Sequence, residues 1–432
     1  RQMCIRDRSR LFTEDVPSIL YLLVQEARNG SKNNKGKSLF TFVYSFDSAC
    51  KGTTDSFFRE TFYQYLNLVS LFSLIILINI WRRLFFSFSL SNFAAMKTST
   101  YAPFAKPLYV MVKPVGAVCN LACDYCYYLE KANLYKDNPK HVMSDELLEK
   151  FIDEYINSQT MPQVLFTWHG GETLMRPLSF YKKAMELQKK YARGRTIDNC
   201  IQTNGTMLTD EWCQFFHDNN WLVGVSIDGP QEFHDEYRKN KMGKPSFVKV
   251  MQGINLLKKH NVEWNAMAVV NDFNADYPLD FYHFFKEIDC HYIQFAPIVE
   301  RILPHQDGRH LASLAEDKEG KLADFSVTPE QWGNFLCTLF DEWVKEDVGN
   351  YYIQIFDSTL ANWMGEQPGI CTMAKTCGHA GVMEFNGDVY SCDHFVFPEY
   401  KLGNIYNQTL VEMMHSERQH HFGNMKYQSL PT

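Results

Sequence analysis

From Leu108 onward, short apolar runs alternate with longer amphipathic runs. Short runs rich in β-branched and aromatic residues predict buried strands, and apolar residues that recur at helical spacing predict helices packed on one face. The predicted strands are 109–113, 164–168, 197–203, 222–227, 263–269 and 291–296. The predicted helices are 145–157, 178–191, 210–219, 247–260 and 279–288, and Ser144 can cap the first of them.

This repetition of strand and helix, about six units long, predicts an α/β fold with parallel strands and right-handed crossovers. Periodicity alone does not decide between an open sheet and a partial barrel. In both architectures, ligands bind at the carboxyl ends of the strands. We therefore expect the ligand-binding groups in the loops that follow the predicted strands, namely after Lys113, Trp168, Thr203, Ile227 and Ala296.

Composition changes sharply near Met96. The whole chain has 432 residues, 45% of them hydrophobic, which is typical of a globular protein with more than one domain. Residues 1–95 carry 12 Lys+Arg and 7 Asp+Glu, a balance of +5, whereas 96–432 carry 31 and 43, a balance of −12. The overall charge of −7 argues against a nucleic-acid binder, which usually has a basic face.

The segment before Met96 contains a mostly apolar run, 66–81, followed by Arg82 and Arg83. This run is shorter than the ~20 residues that span a bilayer, and it lies too deep in the chain for a signal peptide. Three interpretations are open: a short membrane anchor, a buried accessory helix, or translated sequence upstream of the true start. We favour the third because Met96 marks the composition change, so 1–95 has no predicted fold and a membrane protein is disfavoured.

Three cysteines lie in the loop after the first predicted strand. Cys119, Cys123 and Cys126 have the spacing C-x3-C-x2-C, and thiolates are the usual ligands of iron–sulfur clusters. A structural zinc site would need a fourth ligand nearby, and the next histidine is His141, 15 residues beyond Cys126. Disulfides would need an oxidising compartment. We favour a cluster, in which three ligands on four irons leave one iron open to a substrate.

Other strand ends carry polar turns. His169, Gly170, Gly171 and Glu172 follow the second strand, and paired glycines let the backbone approach a ligand closely. The segments 202–205 and 226–230 follow the next two strands. Taken singly, each of these two is equally compatible with an ordinary turn.

The cysteine motif, with an aromatic residue before its third cysteine and Gly-Gly-Glu one strand later, resembles the radical S-adenosylmethionine (SAM) superfamily. Cys371, Cys377 and Cys392, with Gly387 between the last two, resemble the start of a SPASM auxiliary-cluster domain. In detail, the chain from Met96 resembles the anaerobic sulfatase-maturating enzymes. The resemblance implies a partial (β/α)6 barrel over 96–325, linking helices over 326–369 and a SPASM domain over 370–432.

The resemblance also implies the cofactor sites. Cys119, Cys123 and Cys126 would hold a [4Fe–4S] cluster whose open iron binds SAM, and Cys371, Cys377 and Cys392 would hold an auxiliary [4Fe–4S] cluster. The implied SAM contacts are Tyr125 and Val299 at the adenine, Gly170 at the methionine amino group, and Ser226 and Arg238 at the ribose and carboxylate region.

The implied activity is that of an oxidoreductase that modifies proteins. In this family a radical from SAM takes a hydrogen atom from Cβ of a cysteine or serine in a sulfatase Cys/Ser-x-Pro-x-Arg motif, and loss of a second electron and a proton leads to Cα-formylglycine. An electron donor such as ferredoxin or flavodoxin and a cytoplasmic, anaerobic location are expected. Asp393 matches the family's catalytic aspartate and is our candidate base, although a turn-capping role is the plain alternative. Burial would raise its pKa and a nearby hydrogen bond could move the pKa either way.

The sequence departs from the family at its end. The family has a further cysteine group that supplies the second auxiliary cluster and the remaining ligand of the first, and this group is missing here. We therefore expect an incomplete SPASM domain and a chain that binds SAM but completes the oxidation poorly. Two rival functions are another SPASM-type peptide modifier, such as a thioether-forming maturase, and a membrane-tethered iron–sulfur or zinc module without enzymatic activity.

Overall fold

The computed structural model describes residues 107–136, 141–303 and 320–429. These residues all belong to one compact unit. Residues 1–95, with the apolar run 66–81 and its three interpretations, lie outside the described residues. Within the described part of the chain, no helix combines the length and the apolar character that crossing a bilayer requires.

Six parallel strands form the centre of the sheet, as predicted. They are β1 Val110–Lys113, β2 Gln163–Trp168, β3 Thr196–Thr203, β4 Leu222–Ser226, β5 Trp264–Val270 and β6 Tyr292–Pro297. Their order in the sheet follows the chain, and each pairs in parallel with the next. The outer neighbours of β1 and β6 are later strands, so β1 and β6 do not pair with each other and the sheet does not close into a complete barrel.

Helices connect these strands and cover one face of the sheet. They are α1 Asp145–Asn157, α2 Leu178–Tyr191, α3 Asp210–Asp218, α4 Gln231–Tyr237, α5 Phe247–Lys259 and α6 Pro278–Glu287. Ser144 caps α1 as expected, because its hydroxyl accepts from the Leu147 N–H at 3.1 Å. Large aromatic side chains such as Phe151, Phe166 and Trp168 are fully buried between the helices and the sheet. That burial holds the strand ends in fixed positions.

The C-terminal third of the chain extends the same sheet at both edges. Two of its strands, β7 Arg301–Ile302 and β8 Lys321–Leu322, form a separate two-stranded ribbon. The strands that join the main sheet are β9 Tyr352–Ile353, β10 Gly381–Glu384, β11 Asp388–Tyr390 and β12 Lys401–Asn404. Its helices are α7 Pro329–Glu346, α8 Gln354–Trp363, α9 Leu410–Met414 and α10 Glu417–Ser429. Strand β9 pairs with β6, and β10 pairs in parallel with β1. The segment that carries Cys371, Cys377 and Cys392, which we call the second cysteine group, is thereby paired with β1, the strand that precedes Cys119, Cys123 and Cys126.

Candidate active site

The three N-terminal motif cysteines lie together beyond the carboxyl end of β1. Cys119, Cys123 and Cys126 are partly buried free thiols, and the negative charge of Cys126 raises the pKa of both Cys119 and Cys123. Burial is the larger cause, and it raises the pKa of both Cys119 and Cys123 to about 12. Such thiols ionise only beside a cation, which the iron of a cluster supplies. The donor set therefore fits an iron–sulfur cluster.

The Gly-Gly-Glu segment braces the cysteine loop. The Gly171 N–H donates to the Gly116 carbonyl at 2.7 Å, and the Glu172 N–H donates to the Val118 carbonyl at 2.9 Å. A Cβ on Gly171 would lie 2.1 Å from the Val118 oxygen, so only glycine permits this approach. The close approach at Gly171 is thus to the backbone just before Cys119, and the approach of this segment to a ligand stays a prediction.

The Glu172 side chain links this loop to the next one. Its carboxylate is fully buried and accepts from the Leu174 N–H at 2.9 Å, the Thr203 hydroxyl at 2.7 Å and the Asn204 N–H at 2.7 Å. The Asn204 side-chain amide in turn donates to the Asn120 side chain at 2.8 Å. One buried carboxylate thereby connects the loops that follow β1, β2 and β3.

We expect Gly171→Ala to impair cluster assembly, because the added methyl would displace the backbone that leads into Cys119. Overpacking of this kind costs about 1–3 kcal/mol, and here the displaced backbone carries a ligand. Iron per chain after anaerobic reconstitution, and the melting temperature, measure the effect. The matched control is Gly333→Ala in α7, where a Cβ meets nothing within 4 Å and should be neutral or stabilise by roughly 0.5–1 kcal/mol. Full iron loading and unchanged melting in Gly171→Ala would contradict this account.

On the other side of the cysteine loop, Asp228 joins two of the predicted SAM contacts. The Tyr125 hydroxyl and the Arg238 Nε both donate to Asp228 Oδ2, the latter at 2.9 Å. The Val269 N–H donates to Asp228 Oδ1 at 2.9 Å, and the Arg238 guanidinium lies 5.5 Å from the centre of the Tyr125 ring. Asp228 was not selected from the sequence. Its place two residues beyond β4, in a motif already noted, was the available signal.

The remaining predicted SAM contacts, Ser226, Gly170 and Val299, differ in their hydrogen bonds and in their exposure. The Ser226 hydroxyl accepts from Gln202 Nε2 at 2.9 Å, and the buried Gln202 Oε1 has no hydrogen-bond partner among the described residues. This acceptor fits a site that takes a polar ligand. The Gly170 N–H already donates to His169 Nδ1 at 2.7 Å, which leaves its carbonyl for an incoming amino group. Val299 is 58% exposed, and its role at the adenine stays a prediction.

The second cysteine group lies at the edge formed by β10 and β11. Burial, with smaller contributions from the charges of Asp393, Cys371 and Cys377, raises the pKa of the Cys392 thiol to about 12. The three cysteines are therefore close enough to interact and repeat the donor chemistry of the first group. They fit thiolate ligation of a second cluster.

Helix α10 holds the loops that carry these cysteines. The Lys426 ammonium donates to the backbone carbonyls of Cys371 at 3.2 Å and Thr372 at 2.6 Å. The Gln419 side-chain amide donates to the carbonyls of Gly378 at 3.0 Å and Ser391 at 3.1 Å, which adjoin Cys377 and Cys392. Two side chains of one helix thus fix the backbone beside all three thiols.

Asp393 lies between the two cysteine groups. The Tyr127 hydroxyl donates to its Oδ2 at 2.5 Å, and Lys113 forms an ion pair with its Oδ1. Tyr127 directly follows Cys126, and Asp393 directly follows Cys392, so this hydrogen bond joins the two groups. Burial alone would raise the pKa of Asp393, but neighbouring positive charge, above all that of the Lys113 ammonium, outweighs burial and lowers the pKa below its ordinary value. The carboxylate is held ionised.

Two family models match the chain: the radical SAM superfamily over residues 114–285, and SPASM, an iron–sulfur cluster-binding domain, over 377–432. These matches place it among radical SAM proteins with an added cluster domain. It is 93% identical over 337 residues to the serine-type anaerobic sulfatase-maturating enzyme of Bacteroides thetaiotaomicron, covering 78% of this chain and 81% of that relative. It is 33% identical to the cysteine-type enzyme of Clostridium perfringens, over 73% of this chain and 82% of that one. The chain belongs to the anaerobic sulfatase-maturating enzymes.

Solved structures agree with this assignment. Native anSMEcpe with bound AdoMet (SAM) is 31% identical, with a TM-score of 0.65 over 74% of this chain and 84% of that chain. The same protein with AdoMet and the Cp18Cys peptide gives a TM-score of 0.66 at 32% identity, over 74% of this chain and 84% of that chain.

The predicted family, fold class and activity are therefore confirmed. This is a radical SAM enzyme with a SPASM domain that generates formylglycine in sulfatases, and its cofactors are SAM and [4Fe–4S] clusters. The two rival functions are not supported. The matched residues fall within the predicted barrel, 96–325, and the predicted SPASM domain, 370–432, and those boundaries themselves stay predictions.

Proposed function

We propose that this enzyme oxidises a serine side chain of a sulfatase to Cα-formylglycine, with Asp393 as the group that takes the substrate proton. The observation that carries this proposal is the hydrogen bond from Tyr127 to Asp393, which puts an ionised carboxylate between the two cysteine groups. The preference for serine rests on similarity, because the serine-type relative is 93% identical and the cysteine-type relative is 33% identical.

We assign Cys119, Cys123 and Cys126 to the cluster that binds SAM, and Cys371, Cys377 and Cys392 to an auxiliary cluster. The proposed SAM contacts are Tyr125, Gly170, Ser226, Arg238 and Val299. When bound, these groups supply hydrogen-atom removal from Cβ of the substrate and an acceptor for the second electron.

The protein's own contribution at Asp393 is a fixed proton acceptor. The lowered pKa of Asp393 means that the carboxylate is ionised before the substrate arrives. A weak base is sufficient here, because a hydroxyl on a carbon radical is far more acidic than the hydroxyl of an ordinary alcohol. Tyr127 uses one lone pair of Oδ2 and Lys113 forms an ion pair with Oδ1, and the remaining lone pairs of the carboxylate can receive the proton.

His169 lies in the same pocket and carries no charge there. Its Nδ1 accepts from the Gly170 N–H, so its proton is on Nε2, and burial lowers its pKa to about 4. With its Nδ1 lone pair engaged by the Gly170 N–H and its proton on Nε2, this imidazole has no free lone pair with which to take the substrate proton. We propose Asp393, and not His169, as the base for that reason.

The partner polypeptide in this proposal is a sulfatase segment that carries Ser-x-Pro-x-Arg. A small electron-transfer protein such as ferredoxin or flavodoxin is proposed to deliver the electron that each SAM cleavage consumes. We place the reaction in the cytoplasm, since reduced thiols and clusters persist in a reducing compartment.

The test uses the natural full-length protein, anaerobically reconstituted, with SAM, a reductant and three peptides that differ only in having serine, cysteine or alanine at the target position. Mass spectrometry follows the peptide, and chromatography follows 5′-deoxyadenosine. We expect an aldehyde on the serine peptide and no modification of the alanine peptide. Conversion of the cysteine peptide alone would overturn the serine assignment. 5′-Deoxyadenosine formed with every peptide left unmodified would overturn the assignment of this substrate class.

A further inference from the structure

Lys113 is a fully buried lysine at the carboxyl end of β1, and the cluster and SAM assignments give it no role. A buried ammonium without partners is strongly destabilised, so its position depends on the groups around it. Two neighbouring groups stabilise the Lys113 ammonium. Its Nζ forms the ion pair with Asp393 Oδ1 and lies 3.1 Å from the centre of the Tyr128 ring.

The two ends of this ion pair come from the barrel and from the C-terminal extension. Lys113 is the last residue of β1, and it lies opposite Glu384 of β10 in the parallel pairing. The Tyr128 hydroxyl donates to the Glu384 carboxylate, so the ring that faces the ammonium is itself held from β10. The position of Lys113 is therefore fixed by β1, by the pairing of β1 with β10 and by the Tyr128 ring, independently of its contact with Asp393.

The orientation of the Asp393 carboxylate is set by two contacts to opposite oxygens. Lys113 contacts Oδ1 and Tyr127 contacts Oδ2. Asp393 itself begins a short 3-10 turn, Asp393–Phe395, at the end of an extended segment. Removal of one of these two contacts would allow the carboxylate to rotate about the other.

We propose that Lys113 is a positioning residue, which holds the Asp393 carboxylate against the substrate so that each hydrogen-atom removal is followed by proton transfer and formylglycine formation. The inference rests on the proposed function, in which Asp393 takes the proton. Lys113 touches neither the substrate nor the reacting atoms in this account. Its contribution is to raise the amount of formylglycine formed per SAM consumed.

The chain offers a matched control in Lys131. This lysine is also buried, its Nζ also lies 3.1 Å from an aromatic ring centre, that of Phe397, and its charge also reaches Asp393. Among the described residues it forms no ion pair. Lys131→Met therefore removes a buried charge from the same neighbourhood without removing a contact to Asp393.

The experiment uses the natural full-length protein and compares wild type, Lys113→Met, Lys113→Arg and Lys131→Met with a serine peptide deuterated at Cβ. The readouts are 5′-deoxyadenosine formed, deuterium carried into it, formylglycine formed, and iron per chain. In Lys113→Met we expect deuterium transfer to continue and the ratio of 5′-deoxyadenosine to formylglycine to rise at least roughly tenfold, because small misplacements of a catalytic group have effects of this size. Lys113→Arg, which keeps the charge, should restore most of the coupling, and Lys131→Met should show the wild-type ratio.

A wild-type ratio in Lys113→Met, with full iron loading, would overturn the inference. An equal loss of 5′-deoxyadenosine and formylglycine would also overturn it, because the effect would then lie before proton transfer. If Lys113→Met does not load its clusters, Lys113→Gln replaces it under the same criteria. The double variant distinguishes positioning of Asp393 from a general structural role of Lys113. If Lys113 acts only through Asp393, adding Lys113→Met to Asp393→Asn should leave the ratio of 5′-deoxyadenosine to formylglycine at the value of Asp393→Asn alone. If wild type itself forms no formylglycine from the serine peptide, the proposed function fails and not the role of Lys113.

Discussion

Replacing Cys123 with alanine should abolish the formation of 5′-deoxyadenosine and remove about four iron atoms per chain. Cys123 is one of three thiols gathered beyond β1, and two remaining thiolates do not hold a cluster with an open iron in place. SAM cleavage should fall below detection for every peptide, since the electron that breaks the carbon–sulfur bond arrives through that cluster. Iron analysis, electron paramagnetic resonance and chromatography of the nucleoside measure the three consequences.

The control for this prediction is Cys213→Ala. Cys213 is a free, fully buried cysteine in α3, so its replacement costs only a small cavity, about 1 kcal/mol. It should keep wild-type iron and wild-type SAM cleavage. Undiminished 5′-deoxyadenosine production by Cys123→Ala would show that the first cluster is held by other residues.

Asp393→Asn should separate the two halves of the reaction. The amide keeps the shape of the side chain but cannot take a proton, and loss of a general base lowers a rate by roughly 10²–10⁴-fold. We expect formylglycine to fall by that factor while 5′-deoxyadenosine continues to form, because the cysteines of the first cluster are unchanged. Simultaneous assay of both products with the serine peptide tests this directly.

Asp388→Asn is the matched control for Asp393→Asn. Asp388 is also a buried carboxylate of the C-terminal extension, and it pairs with Lys401 at 2.6 Å at the edge of the sheet. Its loss should lower stability without a change in the ratio of the two products. Equal formylglycine yields from Asp393→Asn and wild type would exclude Asp393 as the base and leave its turn-capping role as the better account.

The sequence by itself determined the local elements and the first cysteine site. The predicted helices 145–157 and 178–191 match α1 and α2 residue for residue, and the six predicted strands match β1 to β6 within one residue at each end. Helical and strand periodicity are properties of neighbouring residues, so a local pattern carries them. The cysteine spacing is local in the same way, because the three thiols lie in one loop of eight residues, 119–126.

The tertiary structure decided how the two cysteine groups meet. Tyr127 and Asp393 are 266 residues apart in the chain, and their contact depends on the pairing of β10 with β1. Pairing between distant strands leaves no periodic mark in either segment, so the sequence could not predict it. The direction of the Asp393 pKa was also undecided, since burial and neighbouring charges act in opposite directions and only the position of Lys113 shows which prevails.

Asp228 and Lys113 show the same difference between what the sequence predicts and what only the folded chain reveals. Each lies at or near a predicted strand end, and each resembles an ordinary turn or strand residue until its partners are known. The partners are Tyr125 and Arg238 for Asp228, and Asp393 for Lys113. Sequence therefore determined which residues carry the iron and where the strands end, because both depend on local chemistry. Only the folded chain decided which charges are buried together, because burial depends on residues that are distant in the sequence.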